Sequence, residues 1–334
     1  MTINKIITIL LKVALFIFIF IIVWNIVFSI LWLDKSSIYD FYQEKRNSVD
    51  VVYVGSSSVY SSFNTLQAYK EYGLTTGVLA SDVQPLGATK FMLEEARKYQ
   101  NPSIYILDIN LYGQNVDEIA YINIRKATDA LKNSSTRKDC IDYLLKYTTI
   151  SKDEYINYYL SFLTYHNSWK DIDINNFKSR MIKGHYLSEL TISISPQEHK
   201  EWNNEYIEIP QENIEMINDL IAYIKEKKLN VLFVSAPKIL NNEEAGKLNT
   251  IISLLEDNGF NVINTNNDNF LNLDYQNDFY NSSHVNAYGA RKFTNFLCKY
   301  LYENYNIGAN NKYDKSWEKA YDIYIDKFNQ LTSK

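Results

Sequence analysis

The sequence predicts an α/β protein: a parallel sheet interleaved with helices, tethered by one N-terminal apolar segment. Three observations lead there. Short apolar runs alternate with stretches of helical periodicity, the rhythm of a parallel sheet. That rhythm runs from Val51 to Ile109, pauses, and resumes at Glu212. A single segment, Val13–Leu33, is apolar apart from Asn25 and Ser29, and no second one follows.

At about 1.5 Å per residue, Val13–Leu33 is long enough as a helix to span a hydrocarbon core of roughly 30 Å. Lys5 and Lys12 lie on its N-terminal side. Residues 1–12 are therefore expected in the cytoplasm and the rest outside it. The run ends in Leu-Trp-Leu-Asp with no small-x-small cleavage site, which favours an uncleaved signal anchor. Residues 34–47 read as a polar connector, and 48–334 as an extracytoplasmic domain.

Val51–Val54 is the first strand, and Gly55-Ser56-Ser57-Ser58 turns it into a helix. Asn64-Thr-Leu-Gln67 has the outline of a capping box for a short helix ending near Gly73. Thr76–Ala80 reads as strand two and Gln84–Tyr99 as a helix closed by Asn101-Pro102. Ile104–Ile109 is strand three, with Asp108 and Asn110 at its end. The segment from about 116 to 210 is polar, Tyr-rich and helical in character, an insertion between strands three and four. Its Tyr158, Tyr159, Tyr165, His166 and Trp169 suit either an aromatic core or stacking on sugar rings, with the core reading favoured. Helical spacing returns with Ile214, Ile217, Leu220, Ile221 and Ile224. Asn230–Ala236 and Phe260–Asn264 are strands four and five, separated by a helix that Gly259 closes. Ala287–Tyr305 is the last sheet-packing helix, and Trp317–Leu331 is an amphipathic stretch that packs back on the domain.

Composition narrows the function. The chain has 334 residues, 46% of them hydrophobic, enough for a full core. A net charge of −5 argues against a nucleic-acid partner. Cys140 and Cys298 are too few for a disulfide framework, and the sequence leaves their pairing open. No Cys/His cluster has zinc-ligand spacing, which argues against a zinc site, and no cofactor is expected.

The chemistry concentrates at two strand ends. In an open α/β sheet, ligands and reacting groups sit beyond the carboxyl ends of the strands. Ser57 occupies such a place after strand one, and His284 follows strand five. A serine hydroxyl needs a neighbouring base, and a histidine with a pKa near 6.5 suits that task. Taken alone, the Gly/Ser turn reads as a helix cap, and the histidine as a capping or surface residue.

Taken together, Val54-Gly-Ser-Ser-Ser58 and Asn281-Ser-Ser-His284, with Asn286 and Gly289 after them, resemble the first and last blocks of the SGNH/GDSL hydrolase superfamily. The anchor adds similarity to its membrane-bound DltD-like and polysaccharide O-acetylation branch. The resemblance implies a flavodoxin-like three-layer α/β/α sandwich with a five-stranded parallel sheet. It maps the nucleophile to Ser57 and the base to His284. The family's Asp three residues before the histidine is Asn281 here, and Asp278 is the nearest alternative. The two middle blocks are degraded. Ala80 or Ser81 stands where an oxyanion amide is expected, and Asn110 where a side-chain donor is expected.

The implied activity is ester hydrolysis or O-acyl transfer on an acylated cell-surface polysaccharide or teichoic acid. The implied partner is a membrane-bound O-acyltransferase that supplies acyl groups. The rival expectation, supported by Asn281 and the degraded blocks, is a non-catalytic scaffold of a cell-envelope acylation complex.

Overall fold

The computed structural model describes residues 3–31, 36–115, 121–165, 167–171, 179–188, 204–267, 271–308 and 313–332. Five parallel strands form the central sheet: β1 (Val51–Gly55), β2 (Thr76–Ala80), β3 (Ile104–Asp108), β4 (Val231–Ser235) and β5 (Val262–Asn264). Their order is β2-β1-β3-β4-β5, one of the two common doubly wound orders. Every residue of β1 to β4 is buried. A sheet covered on both faces explains their continuous apolar runs, in place of polar–apolar alternation.

The helices before the insertion are α1 (Ile3–Leu31), α2 (Ser37–Phe41), α3 (Ser57–Ser62), α4 (Thr65–Tyr72) and α5 (Thr89–Tyr99). The insertion carries α6 (Tyr121–Thr128), α7 (Ser135–Leu145), α8 (Ile156–Tyr159) and α9 (Phe162–Tyr165). Then come α10 (Gln211–Lys227) and α11 (Asn242–Asp257). A two-stranded hairpin follows, β6 (Phe279–Asn281) with β7 (His284–Val285), before α12 (Ala287–Tyr305) and α13 (Lys315–Thr332).

Alternate strand residues feed two cores. Val52, Val54, Leu107 and Phe233 meet α5, α7, α10 and α11 on one face. Val51, Tyr53, Ile106 and Val234 meet α3 and α12 on the other. Side chains that were expected in an insertion join the first of these cores, among them Ile124, Ile141, Leu144 and Tyr158. Tyr158 is fully buried, and the Arg125 guanidinium lies 4.7 Å from the Tyr121 ring centre and 4.8 Å from that of Tyr158. Tyr158 is thus unavailable to a sugar, whereas Trp169 is 61% exposed. His166 lies outside the described residues. At the C-terminus, α13 packs on α4 through Trp317 and Tyr69, with ring centres 5.4 Å apart.

Local chemistry explains the differences at element ends. The helix expected from Gln84 begins as a 3-10 turn at Leu86 and becomes α5 only at Thr89. Pro85 is extended, and the residue before a proline is pushed out of the helical region. Strand five starts at Val262 and not Phe260, because the Phe260 amide donates back to the Leu255 carbonyl and closes α11 across Gly259. The capping box of α11, Asn241 with Glu244, was not foreseen. At α4 only Asn64 caps, accepting from the Leu66 and Gln67 amides.

The apolar helix α1 begins ten residues earlier than the expected span, at Ile3 against Val13. Trp32 and Leu33, the last residues of that span, lie outside the described residues. Among the described residues, α1 is the one helix long and apolar enough to cross a membrane, and its apolar side chains from Ile3 to Val23 face outward. Cys140 and Cys298 are separate, buried, free thiols.

Candidate active site

Ser57 opens α3 where β1 ends. Gly55 makes the turn possible, because a Cβ there would sit 2.5 Å from the Asp108 Cβ and 2.7 Å from Val59. Ser56 is the extended N-cap, yet its side chain makes no capping bond. The amides of the first turn of α3 are therefore not taken by that serine, although an N-cap serine ordinarily accepts from one of them. Instead the Ser56 and Ser58 hydroxyls are 2.8 Å apart, and Ser58 donates to Asp108 Oδ2 at 2.5 Å.

His284 comes from the hairpin, an element the sequence did not announce. Its tip is fixed by the Ile239 amide, which donates to the Ser282 carbonyl at 2.8 Å. Its base is fixed by the Asn286 amide donating to the Asp278 carbonyl at 2.8 Å. Gly289 lets α12 lie close underneath, since a Cβ there would be 2.4 Å from that same carbonyl oxygen.

The structure brings Ser57, His284 and Asn281 together. Ser57 Oγ is 2.7 Å from His284 Nε2, and His284 Nδ1 is 2.9 Å from Asn281 Oδ1. The Ser283 amide also donates to Asn281 Oδ1, at 2.9 Å. A backbone N–H demands an acceptor, so this bond fixes which end of the Asn281 amide faces the ring. Nδ1 must then carry the proton and donate it. That leaves Nε2 as an acceptor for the Ser57 hydroxyl. Burial holds the His284 pKa below its ordinary value; the Asp82 charge opposes this and Lys238 adds to it. The shift favours the neutral imidazole, the form a general base requires.

Asp278, the alternative carboxylate, does not face His284. Its Oδ2 accepts from Lys292 Nζ and the Asp274 amide, each at 2.6 Å, and braces the hairpin. The expected oxyanion donors are engaged elsewhere. The Ala80 amide donates to Ser37 Oγ at 3.2 Å, where α2 docks against the sheet edge. The Ser81 amide points to the Gly55 carbonyl at 3.4 Å. Asn110 Nδ2 donates to the Ala236 carbonyl at 2.9 Å, and its Oδ1 accepts from Ser235 at 2.6 Å. These bonds tie the strand ends together at the sheet's rim.

Two other residues near the site were not singled out from the sequence. Asp82 follows β2, accepts hydrogen bonds from Tyr60 and Lys126, and opens onto a cleft of about 140 Å³ that Arg180 and Tyr186 also line. Burial alone would raise its pKa, but the Lys126 and Tyr60 hydrogen bonds outweigh this and keep it below the usual carboxylate range. Asp108 closes β3, fully buried, with its pKa pushed up to about 6 by desolvation. The signal for both was a carboxylate at a strand's carboxyl end, within β3 for Asp108 and two residues past β2 for Asp82. Among the described residues, no three His, Cys, Asp or Glu side chains gather around a metal-sized site.

No protein-family model, curated protein or solved structure matches this chain.

Proposed function

We propose that this protein is a membrane-anchored serine esterase or O-acyltransferase of the SGNH/GDSL type, similar to the DltD-like branch. It acts outside the membrane on an acylated cell-surface polysaccharide or teichoic acid. One observation carries the reading: Ser57 Oγ lies 2.7 Å from a histidine nitrogen whose partner nitrogen is held by Asn281. The α/β sheet with this pair beyond its carboxyl rim supports the family assignment.

The steps follow from the tautomer. Nε2 takes the Ser57 proton while Oγ attacks the acyl carbon of the donor ester. The tetrahedral oxyanion is stabilised by the Ser57 amide in the first turn of α3. Collapse breaks the ester bond, and the leaving alkoxide takes the proton from Nε2. The acceptor hydroxyl, or water, then gives its proton to Nε2 and attacks the acyl-serine. Collapse releases the new ester or acid and returns the proton to Ser57. Asn281 orients the ring throughout but adds no negative charge beside the imidazolium, so turnover is slow.

Lys5 and Lys12, in the N-terminal part of α1 and ahead of the apolar run from Val13, favour a cytoplasmic N-terminus and an extracytoplasmic domain. A membrane-bound O-acyltransferase is the fitting acyl supplier. The neutral Asn281 also favours a second reading, a scaffold that keeps the fold without turnover. Labelling with a fluorophosphonate separates the two. The parent protein should be labelled and Ser57→Ala should not. An unlabelled, folded parent would favour the scaffold.

A further inference from the structure

We propose that Asp108 is a positioning residue for Ser57, acting through Ser58; this rests on the reading of Ser57 as the nucleophile. Ser57 is bracketed by two serines whose hydroxyls form one chain ending on the buried Asp108 carboxylate. Ser58 has a single hydroxyl proton, and it is directed to Asp108 Oδ2 at 2.5 Å. Ser56 must then be the donor in its 2.8 Å contact with Ser58. The other carboxylate oxygen, Oδ1, accepts from the Ala236 amide at 3.2 Å.

One carboxylate thus ties the first turn of α3 to the exits of β3 and β4. Ser58 Oγ to Asp108 is in the length range of a hydroxyl donating to an ionised carboxylate, a strong class of hydrogen bond. The N-cap hydroxyl of Ser56 is drawn into this chain and not used as a cap. Gly55 gives Asp108 the room to approach, since any side chain there would meet the Asp108 Cβ. A turn held only by α3, six residues long, would leave the direction of Ser57 Oγ weakly defined. The Asp108 tether supplies the missing constraint and keeps Oγ pointed at Nε2.

The test compares Ser58→Thr with Ser58→Val, which share one shape and differ in the hydroxyl. The readout is steady-state turnover of p-nitrophenyl acetate by the full-length protein. Ser58→Thr should keep kcat within about threefold of the parent, and Ser58→Val should lose about tenfold in kcat with KM unchanged. Asp108→Asn should lose a similar factor. The double variant Ser58→Val/Asp108→Asn should fall no lower than the lower single variant, because the two residues act as one unit. Equal kcat for the Thr and Val variants, or losses that multiply in the double, would overturn the proposal. If the added branch unfolds both variants, Ser58→Ala is read against the parent, and equal kcat overturns it. Turnover that survives Ser57→Ala would instead refute the nucleophile reading beneath it.

Discussion

A neutral amide at position 281 orients His284 without placing charge beside it. Asn281→Asp should therefore raise kcat, since a carboxylate stabilises the imidazolium that forms as the Ser57 proton moves. The same charge raises the His284 pKa, by roughly a unit or more for a close pair. In the proposed mechanism activity rises with pH as Nε2 loses its proton, and burial draws that limb to lower pH in the parent. The limb should move to higher pH in the variant. Kinetics of both proteins from about pH 5 to 9 check this, and an unchanged limb with no gain in kcat would exclude the pairing. Asp108 gives a second residue-level prediction. Its folded pKa, about 6, stands above its ordinary 3.8 because burial disfavours the charge; hydrogen bonds from Ser58 and Ala236 and the Lys238 charge only partly offset this. The folded state then binds more protons than the unfolded one between those values. The stability from Asp108 is full below 3.8 and is lost as pH rises through about 6. Thermal melts across that window should show a smaller decline for Asp108→Asn than for the parent.

At the scale of elements, the β6–β7 hairpin and the start of α3 decide whether serine and histidine meet. The hairpin is pinned by backbone hydrogen bonds at tip and base, and by Asp278 with Lys292 beneath it. Gly289→Ala would push a Cβ to 2.4 Å from the Asp278 carbonyl oxygen, a backbone atom that moves only with β6. The expected cost is about 1–3 kcal/mol of stability, typical of overpacking. A lower melting temperature with kcat reduced beyond KM would show the hairpin displaced; parent-like values for both would show slack at that contact. Asn64→Ala offers a control at α4, an element that no step of the proposed reaction uses. It removes the acceptor for the Leu66 and Gln67 amides and should cost about 0.5–2 kcal/mol with kcat unchanged. Denaturant melts and p-nitrophenyl acetate kinetics measure both effects.

At the scale of the whole molecule, the proposed function has α1 tether the sheet domain to a membrane. On that reading Lys5 and Lys12 set the direction of the tether, and a reporter fused after Lys334 should report from outside the cytoplasm. A cytoplasmic signal would remove both the orientation and the cell-surface substrate. Sequence by itself determined the α/β class, the parallel strands and the apolar N-terminal helix. Each depends on local periodicity: buried runs such as Val51–Val54 and Val231–Ser235, or an unbroken apolar helix. It also marked Ser57 and His284, as residues just after strands, while Asn281 came from the resemblance to the last SGNH/GDSL block. Tertiary structure alone decided how far the other candidates reach. Ala80 and Asn110 sit at plausible strand ends, but their donors are taken by Ser37 on α2 and by Ala236 after β4. Asp108 read as the end of a strand until Ser58, fifty residues before it, proved to be its partner. Hydrogen-bond partners that far apart in the chain leave no periodicity in the sequence, and only the packing of the strand ends brings them together.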